Sequence, residues 1–377
     1  MGIDLGLVAG EASGDLLGAH ALTALRAAHP CLQVAGIAGP RLVEAGARAL
    51  YPSDKLAVNG YLEVLAHLPE LLWIRRRIGD AMLAARPRVF MGIDAPDFNL
   101  GLEARLKAAG IPTVHFVSPS IWAWRPERLS GIRAAASRML LVFPFEEAIY
   151  REAGIPATYV GHPLADAIPL EVDSAAARRE LGLIGEPVVA LLPGSRRNEV
   201  ARHARLMLAA AARIQRVHPG ARFVVPAAGA AAHELIAAAA RDFDLPLTLL
   251  DGRSHAALAA CDVALVASGT ATLETLLFGK PMVITYRVPA LTARIMRRKA
   301  LLPWIGLPNI LANEWLVPER VQEEATPENL ARDALDWLAD APRRAAFAAR
   351  AHGLHVSLRQ GAARRIAPTY RAARPLG

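Results

Sequence analysis

The chain has 377 residues, 53% hydrophobic and 21% charged, which excludes wholesale disorder and supplies cores for two domains at roughly 150 residues each. Net charge is +8, with 39 Arg against only Lys55, Lys107, Lys280 and Lys299; this imbalance reads as compositional drift, so no Arg carries meaning merely by being basic. No apolar run reaches the roughly 18–20 residues of a spanning helix, no secretory signal pattern precedes Asp4, and Cys31 and Cys261 lie too far apart in sequence to suggest a disulfide framework or a metal cluster. The expectation is a cytoplasmic protein with a basic surface, suited to nucleic acid, anionic lipid or a phosphorylated small molecule.

In chain order, residues 5–10 are a short apolar run ending in Gly10, followed by the polar loop Glu11-Ala12-Ser13-Gly14-Asp15 and a helical pattern over 16–28. Strands are predicted at 34–37, 88–94, 113–117 and 139–142, with a helix over 100–109 closed by Gly110. Composition shifts near His162-Pro163 and Pro169, and Asp173-Ser174 supply N-cap chemistry for a helix over 175–181. Strand signals restart at 187–192 and continue at 223–226, 247–250, 263–266 and 281–285; from 327 the chain is Ala/Arg-rich and helical. This alternation predicts an α/β protein of two Rossmann-like, doubly wound parallel-sheet domains, 1–167 and 168–344, facing each other across a cleft outside the carboxyl ends of the strands. The helices of 345–377 either complete the first domain or pack on a second subunit.

The polar loops at the strand ends carry the candidate chemistry. In Gly10-Glu11-Ala12-Ser13-Gly14-Asp15 the glycines allow close backbone approach, but two carboxylates disfavour phosphate and suit a hydroxyl-rich ligand; a tight turn with a cap is the plainer alternative. Asp94 closes an apolar strand, where a carboxylate can act as a general base. Asp97 follows Pro96 and reads as an N-cap. Trp122, Trp124 and Arg125 crowd the segment after the strand at 113–117, as aromatic platforms and a phosphate partner or as interface packing. Gly194-Ser195-Arg196 end a strand before a helix, the arrangement a leaving diphosphate needs. Ser268-Gly269-Thr270 repeat it, with Thr272 and Glu274 inside the next helix; Glu274 is placed to take ribose hydroxyls. No metal cluster, Walker loop or G-x-G-x-x-G appears.

These segments together resemble the lipid-A-disaccharide synthase family, glycosyltransferases of the GT-B fold. The likeness rests on Ala9 to Asp15, Gly-Ile-Asp-Ala-Pro-Asp-Phe-Asn at 92–99, Ser-Pro-Ser-Ile-Trp-Ala-Trp-Arg at 118–125, Phe-Pro-Phe-Glu at 143–146, Gly-His-Pro at 161–163, Leu-Pro-Gly-Ser-Arg at 192–196, Ser-Gly-Thr-Ala-Thr-Leu-Glu at 268–274 and Leu-Pro-Asn-Ile-Leu-Ala at 307–312. The resemblance implies transfer of 2,3-diacylglucosamine from UDP-2,3-diacylglucosamine to the 6-hydroxyl of 2,3-diacylglucosamine 1-phosphate (lipid X), with inversion, giving a β-1,6 disaccharide and UDP. It implies Asp94 as base, Arg196 and the Ser268–Thr270 turn on the diphosphate, and acceptor contacts from Glu11, Ser13, Asp15, Ser118, Trp122, Arg125 and Asn309. Arg125 and Arg128 are candidates for the acceptor phosphate. No metal or other cofactor and no nucleic acid is expected, and the chain is read as a monomer or homodimer.

Acylated substrates imply contact with the inner membrane's cytoplasmic face. Residues 58–78 and 291–305 mix apolar side chains and Trp with Arg, as interfacial helices do; an amphipathic core helix is the plainer reading of each. The rival functions are a nucleotide-sugar epimerase or hydrolase on the same fold, which needs no acceptor, and a nucleic-acid-binding protein, for which charge is the only argument.

Overall fold

The computed structural model describes residues 2–10, 12–53, 56 and 61–366, without the side chains of Ala12 and 61–67. Glu11, residues 58–60 of the first amphipathic stretch and 367–377 of the terminal helices lie outside the described residues. The chain divides into two compact units, Met1–Ala167 with Leu358–Gly377, and Ile168–Ser357.

In the first unit, β1 (Leu5–Ala9), β2 (Val34–Ala38), β3 (Arg48–Pro52), β4 (Val89–Ile93), β5 (Thr113–Phe116), β6 (Arg138–Leu141) and β7 (Ala157–Tyr159) form a parallel sheet ordered β3-β2-β1-β4-β5-β6-β7. The apolar runs of β1, β2 and β4 are wholly buried, because crossover helices cover both faces of a parallel sheet. Ile74, Ile78 and Met82 of helix Tyr61–Ala85, and Leu102 and Leu106 of helix Pro96–Ala108, join Val8, Ile37 and Phe90 in one core. Gly36 of β2 pairs with Leu7 of β1, and a Cβ on it would stand 1.7 Å from the Leu7 carbonyl oxygen.

In the second unit, β8 (Val188–Leu192), β9 (Arg222–Ala227), β10 (Leu247–Asp251), β11 (Val263–Ala267), β12 (Met282–Tyr286) and β13 (Glu319–Val321) are ordered β10-β9-β8-β11-β12-β13, again all parallel. In both sheets the order reverses beside the first strand, so β1 with β4, and β8 with β11, frame a switch point where such sheets bind ligands.

The terminal segment divides where the reading at 345 did not place it. Helix Ala341–Leu358 belongs almost wholly to the second unit. Its Phe347 packs on Trp337, ring centroids 5.5 Å apart, and Trp337 donates its indole N–H to the Met282 carbonyl of β12. From Leu358 onward the chain returns to the first unit. His162 N–H bonds the Leu358 carbonyl at 2.9 Å, the Asp166 carboxylate accepts from Gly361 and Ala362 N–H, and Leu358, Ala362 and Ile366 are buried.

Candidate active site

The end of β4 is a strained turn. Asp94 and Ala95 take left-handed backbone with φ of 52° and 43°, and Val117, just past β5, has φ of 76°. A β-branched residue there is an outlier, and such strain, about 1–3 kcal/mol per residue, persists only where the surroundings enforce it. They do so here: Asp94 N–H bonds the Phe116 carbonyl at 2.9 Å, Asn99 Nδ2 bonds the Asp94 carbonyl at 2.8 Å, and Val117 N–H bonds Leu140 at 3.1 Å. Helix Ala12–Ala28 comes in close, since Cβ atoms on Gly10 and Gly14 would lie 2.7 Å from Ala95 Cβ and 3.7 Å from Asp94 Cβ. Ser13 and Asp94 are both half-buried.

Several expected ligand contacts are instead structural. Asp15 is buried and its carboxylate accepts from the N–H groups of Gly39, Arg41 and Leu42, capping helix Pro40–Glu44; both oxygens are spent on backbone. Asp97 is not an N-cap either. That position is Ala95, and Asp97 sits in the first turn of helix Pro96–Ala108, paired with Arg128. Arg128 is therefore already committed, whereas Arg125 lies 4.1 Å over the Trp124 ring.

Ser118 and Trp122 belong to a buried cluster centred on Glu146. Trp122 Nε1 donates to Glu146 Oε1 at 3.0 Å, Phe143 N–H donates to Oε2 at 3.1 Å, and the Ser118 and Tyr150 hydroxyls are 2.7 Å apart. Burial pushes the Glu146 carboxyl up to about 7, against the bonds it accepts from Phe143 and Trp122. His162, tilted against Phe143 at 5.7 Å, is driven by burial down to about 4.

The two groups oppose each other in pH. Glu146, raised above its ordinary 4.5, loses stabilisation as pH rises from 4.5 to about 7. His162, depressed below its ordinary 6.5, loses it as pH falls from 6.5 to about 4. Replacing His162 by Asn keeps an acceptor for the Leu164 N–H, which Nδ1 now serves at 3.2 Å, and removes the acid-side loss. Urea midpoints of His162→Asn are expected to climb, relative to wild type, as pH falls from 6.5 toward 4.5; an unchanged difference across that window would contradict the assignment.

In the second unit, β8 delivers Gly194, Ser195 and Arg196 to the start of helix Arg197–Val217. Gly194 has φ of 116°, and a Cβ would meet Glu199 Cβ at 2.7 Å. Ser195 and Arg196 are exposed, and Glu199 holds Arg196 twice, through its N–H and its guanidinium, each at 3.3 Å. β11 delivers Ser268 and Gly269 to helix Thr270–Leu277. Gly269 has φ of 150° with open space where a side chain would be, and Thr270 is exposed. Two N-terminal helix ends therefore stand at the ends of adjacent strands, an anion-binding arrangement.

Thr272 and Asn309 are not free for a ligand. The buried Thr272 hydroxyl donates to the Gly269 carbonyl at 2.8 Å, fixing the turn. Asn309 is wholly buried; its side chain bonds the backbone of Leu316 and Val317 and donates to Glu319 Oε1 at 2.8 Å. Glu319 in turn accepts from Ile305 and Gly306 N–H, and Ser268 Oγ donates to the Ile305 carbonyl at 3.2 Å. Asn309 therefore supports the Ser268 turn at one remove. Glu274 is half-buried, 3.9 Å from His255 Nε2.

The family profile of lipid-A-disaccharide synthetases matches residues 5–367. The chain is 70% identical over 361 residues to lipid-A-disaccharide synthase of Thiobacillus denitrificans, covering 96% of this chain and 97% of that one. It belongs to the lipid-A-disaccharide synthase family. The synthase of Pseudomonas aeruginosa is 50% identical over 368 residues, 97% of each chain. Among solved structures, UDP-GlcNAc 2-epimerase from Neisseria meningitidis aligns with a TM-score of 0.67 at 13% identity, over 98% of this chain and 99% of that one. MurG of Acinetobacter baumannii aligns at 0.59 and 15%, with the same coverage. These likenesses give the fold, the pair of parallel-sheet domains of GT-B glycosyltransferases. Behind the strand ends of this synthase-family chain, Glu146 holds Trp122, Glu103 pairs with His115, and Glu199 holds Arg196.

Proposed function

We propose that the chain is a lipid-A-disaccharide synthase that transfers 2,3-diacylglucosamine from UDP-2,3-diacylglucosamine to the 6-hydroxyl of lipid X, inverting the anomeric carbon. The observation that carries the residue assignment is the strained turn that presents Asp94 at the switch point of the first unit. Asp94 takes the proton of the acceptor hydroxyl as its oxygen attacks. The C–O bond to UDP breaks on the opposite face, and the leaving diphosphate gathers negative charge. Arg196 and the helix N-terminus at Gly269 and Thr270 meet that charge with a guanidinium and backbone N–H groups, and Glu274 accepts ribose hydroxyls. Ser13 and Arg125 remain candidates for the acceptor.

Purified enzyme given UDP-diacylglucosamine and lipid X is expected to release UDP and form the tetraacyl disaccharide 1-phosphate, with rates unchanged by a chelator. UDP or an epimer formed without lipid X favours the hydrolase or epimerase reading, and a large loss on chelation overturns the metal-free mechanism.

Among the described residues no helix is long and apolar enough to cross a membrane. Surface association with the inner membrane's cytoplasmic face is supported by two helices that leave apolar side chains outward. Helix Tyr61–Ala85 buries Ile74 and Ile78 but exposes Leu68, Leu72 and Trp73, with Arg77 over the indole. Helix Ala290–Lys299 buries none of its residues and exposes Leu291, Ile295 and Met296 beside Arg294, Arg297, Arg298 and Lys299. Binding to anionic liposomes that weakens as salt rises is expected; no binding at low ionic strength counts against it.

A further inference from the structure

Two buried ionisable groups that the proposed chemistry does not use lie beneath the Asp94 turn. Glu103, on helix Pro96–Ala108, and His115, on β5, are both 0% exposed, with Nδ1 and Oε1 2.8 Å apart. The sequence makes room for them. Gly92, the β4 residue in register with His115, would with a Cβ stand 2.0 Å from Glu103 Oε1.

Such a pair is a poor way to gain stability, because desolvating two charges costs several kcal/mol and apolar side chains of equal volume often do as well or better. Here the pairing is also incomplete. Glu103 Oε2, His115 Nε2 and Asn99 Oδ1 are buried without a hydrogen-bond partner. The same Asn99 holds the Asp94 carbonyl through its Nδ2, and Phe116, next to His115, accepts the Asp94 N–H.

The charged groups acting on His115 are Glu103 from the helix and Asp94 from the end of β4; its register partners, Gly92 on β4 and Met139 on β6, carry no charge. Burial pulls the imidazole toward neutrality, but the charge and bond of Glu103, then Asp94 and the Val117 backbone, outweigh it, and the balance lies above the ordinary histidine value.

We propose that Glu103 and His115 are positioning residues for the reaction, a hydrogen-bonded pair buried beneath the β4 turn that keeps the Asp94 carboxylate aimed. This rests on the reading of Asp94 as the base. Glu103→Gln and His115→Gln, compared with wild type, are expected to lower kcat about tenfold or more while KM for each substrate stays within about threefold. Nitrogen-15 spectra of histidine-labelled wild type, assigned by the His115→Gln spectrum or by the fully protected signal, are expected to hold one imidazole that titrates above the ordinary histidine value and that titrates lower in Glu103→Gln. A His115 that titrates at or below the ordinary histidine value in wild type, or a folded His115→Gln with wild-type kcat, overturns the proposal. If the variants do not fold, the wild-type spectrum decides alone. Asp94→Ala measured alongside separates the two claims: full turnover there removes the base, whereas an inactive Asp94→Ala beside unchanged His115→Gln and Glu103→Gln removes only the positioning role.

Discussion

Asp94→Asn is expected to fold normally and to lose about 10²–10⁴-fold in kcat, the range a positioned general base contributes. The choice of Asn isolates the chemistry. Asn is among the few side chains enriched at positive φ, so it accepts the 52° that position 94 imposes. The backbone bonds from Asp94 N–H to Phe116 and from Asn99 to the Asp94 carbonyl do not involve the carboxylate. What goes is the capacity to take a proton. KM for both substrates should therefore stay within a few-fold while kcat falls. A folded Asp94→Asn enzyme with near-normal turnover would remove Asp94 as the base and leave the strained turn without its explanation.

The largest stability effect is expected at Gly36, far from any reacting atom. A methyl group there would sit 1.7 Å from the Leu7 carbonyl oxygen and 2.7 Å from its carbon. Both are backbone atoms of β1, and β2 is held between β1 and β3 by parallel ladders. No rotamer change can relieve the clash, so the cost should exceed the usual overpacking cost of about 1–3 kcal/mol and take most of a total stability of roughly 5–15 kcal/mol. Gly36→Ala is expected to yield no soluble folded protein at 37 °C. Gly353→Ala is the control: Gly353 is exposed in helix Ala341–Leu358, with open space around it, and the change should add about 0.5–1 kcal/mol through helix propensity. Urea midpoints measure both, and a Gly36→Ala protein as stable as wild type would contradict the described β1–β2 register.

Apolar runs made most of the fold legible. β1, β2, β4, β8 and β11 are central strands buried along their whole length, and that burial is what a run of Val, Leu, Ile and Ala records. β3, β7 and β13 were not read from the sequence. All three are outer strands of their sheets, half-covered and mixed in composition, so backbone pairing defines them more than side-chain burial does. At the site, position alone places Asp94 and Arg196 just past the ends of the buried strands β4 and β8. Asp15, Thr272 and Asn309 could not be sorted in the same way. The carboxylate, hydroxyl and amide that cap or staple backbone are the same groups that bind sugars, and only their partners distinguish the two uses. The Glu103–His115 pairing was not legible for another reason: twelve residues apart and on different elements, they meet only once β5 lies beside β4 under the helix.

The return of the chain at Leu358 bears on how the protein is made. The first unit contains the N-terminus, yet Leu358, Ala362 and Ile366 fill places in its interior and Asp166 is matched by Gly361 and Ala362. During synthesis at roughly 5–20 residues per second, N-terminal domains generally fold first. Here the first unit has to wait, incomplete, while the whole of 168–357 emerges. The second unit, contiguous in sequence, can close before it. A ribosome-stalled chain that has emerged from the tunnel only as far as 357 should accordingly hold a protease-resistant second unit beside a first unit that proteases still cut.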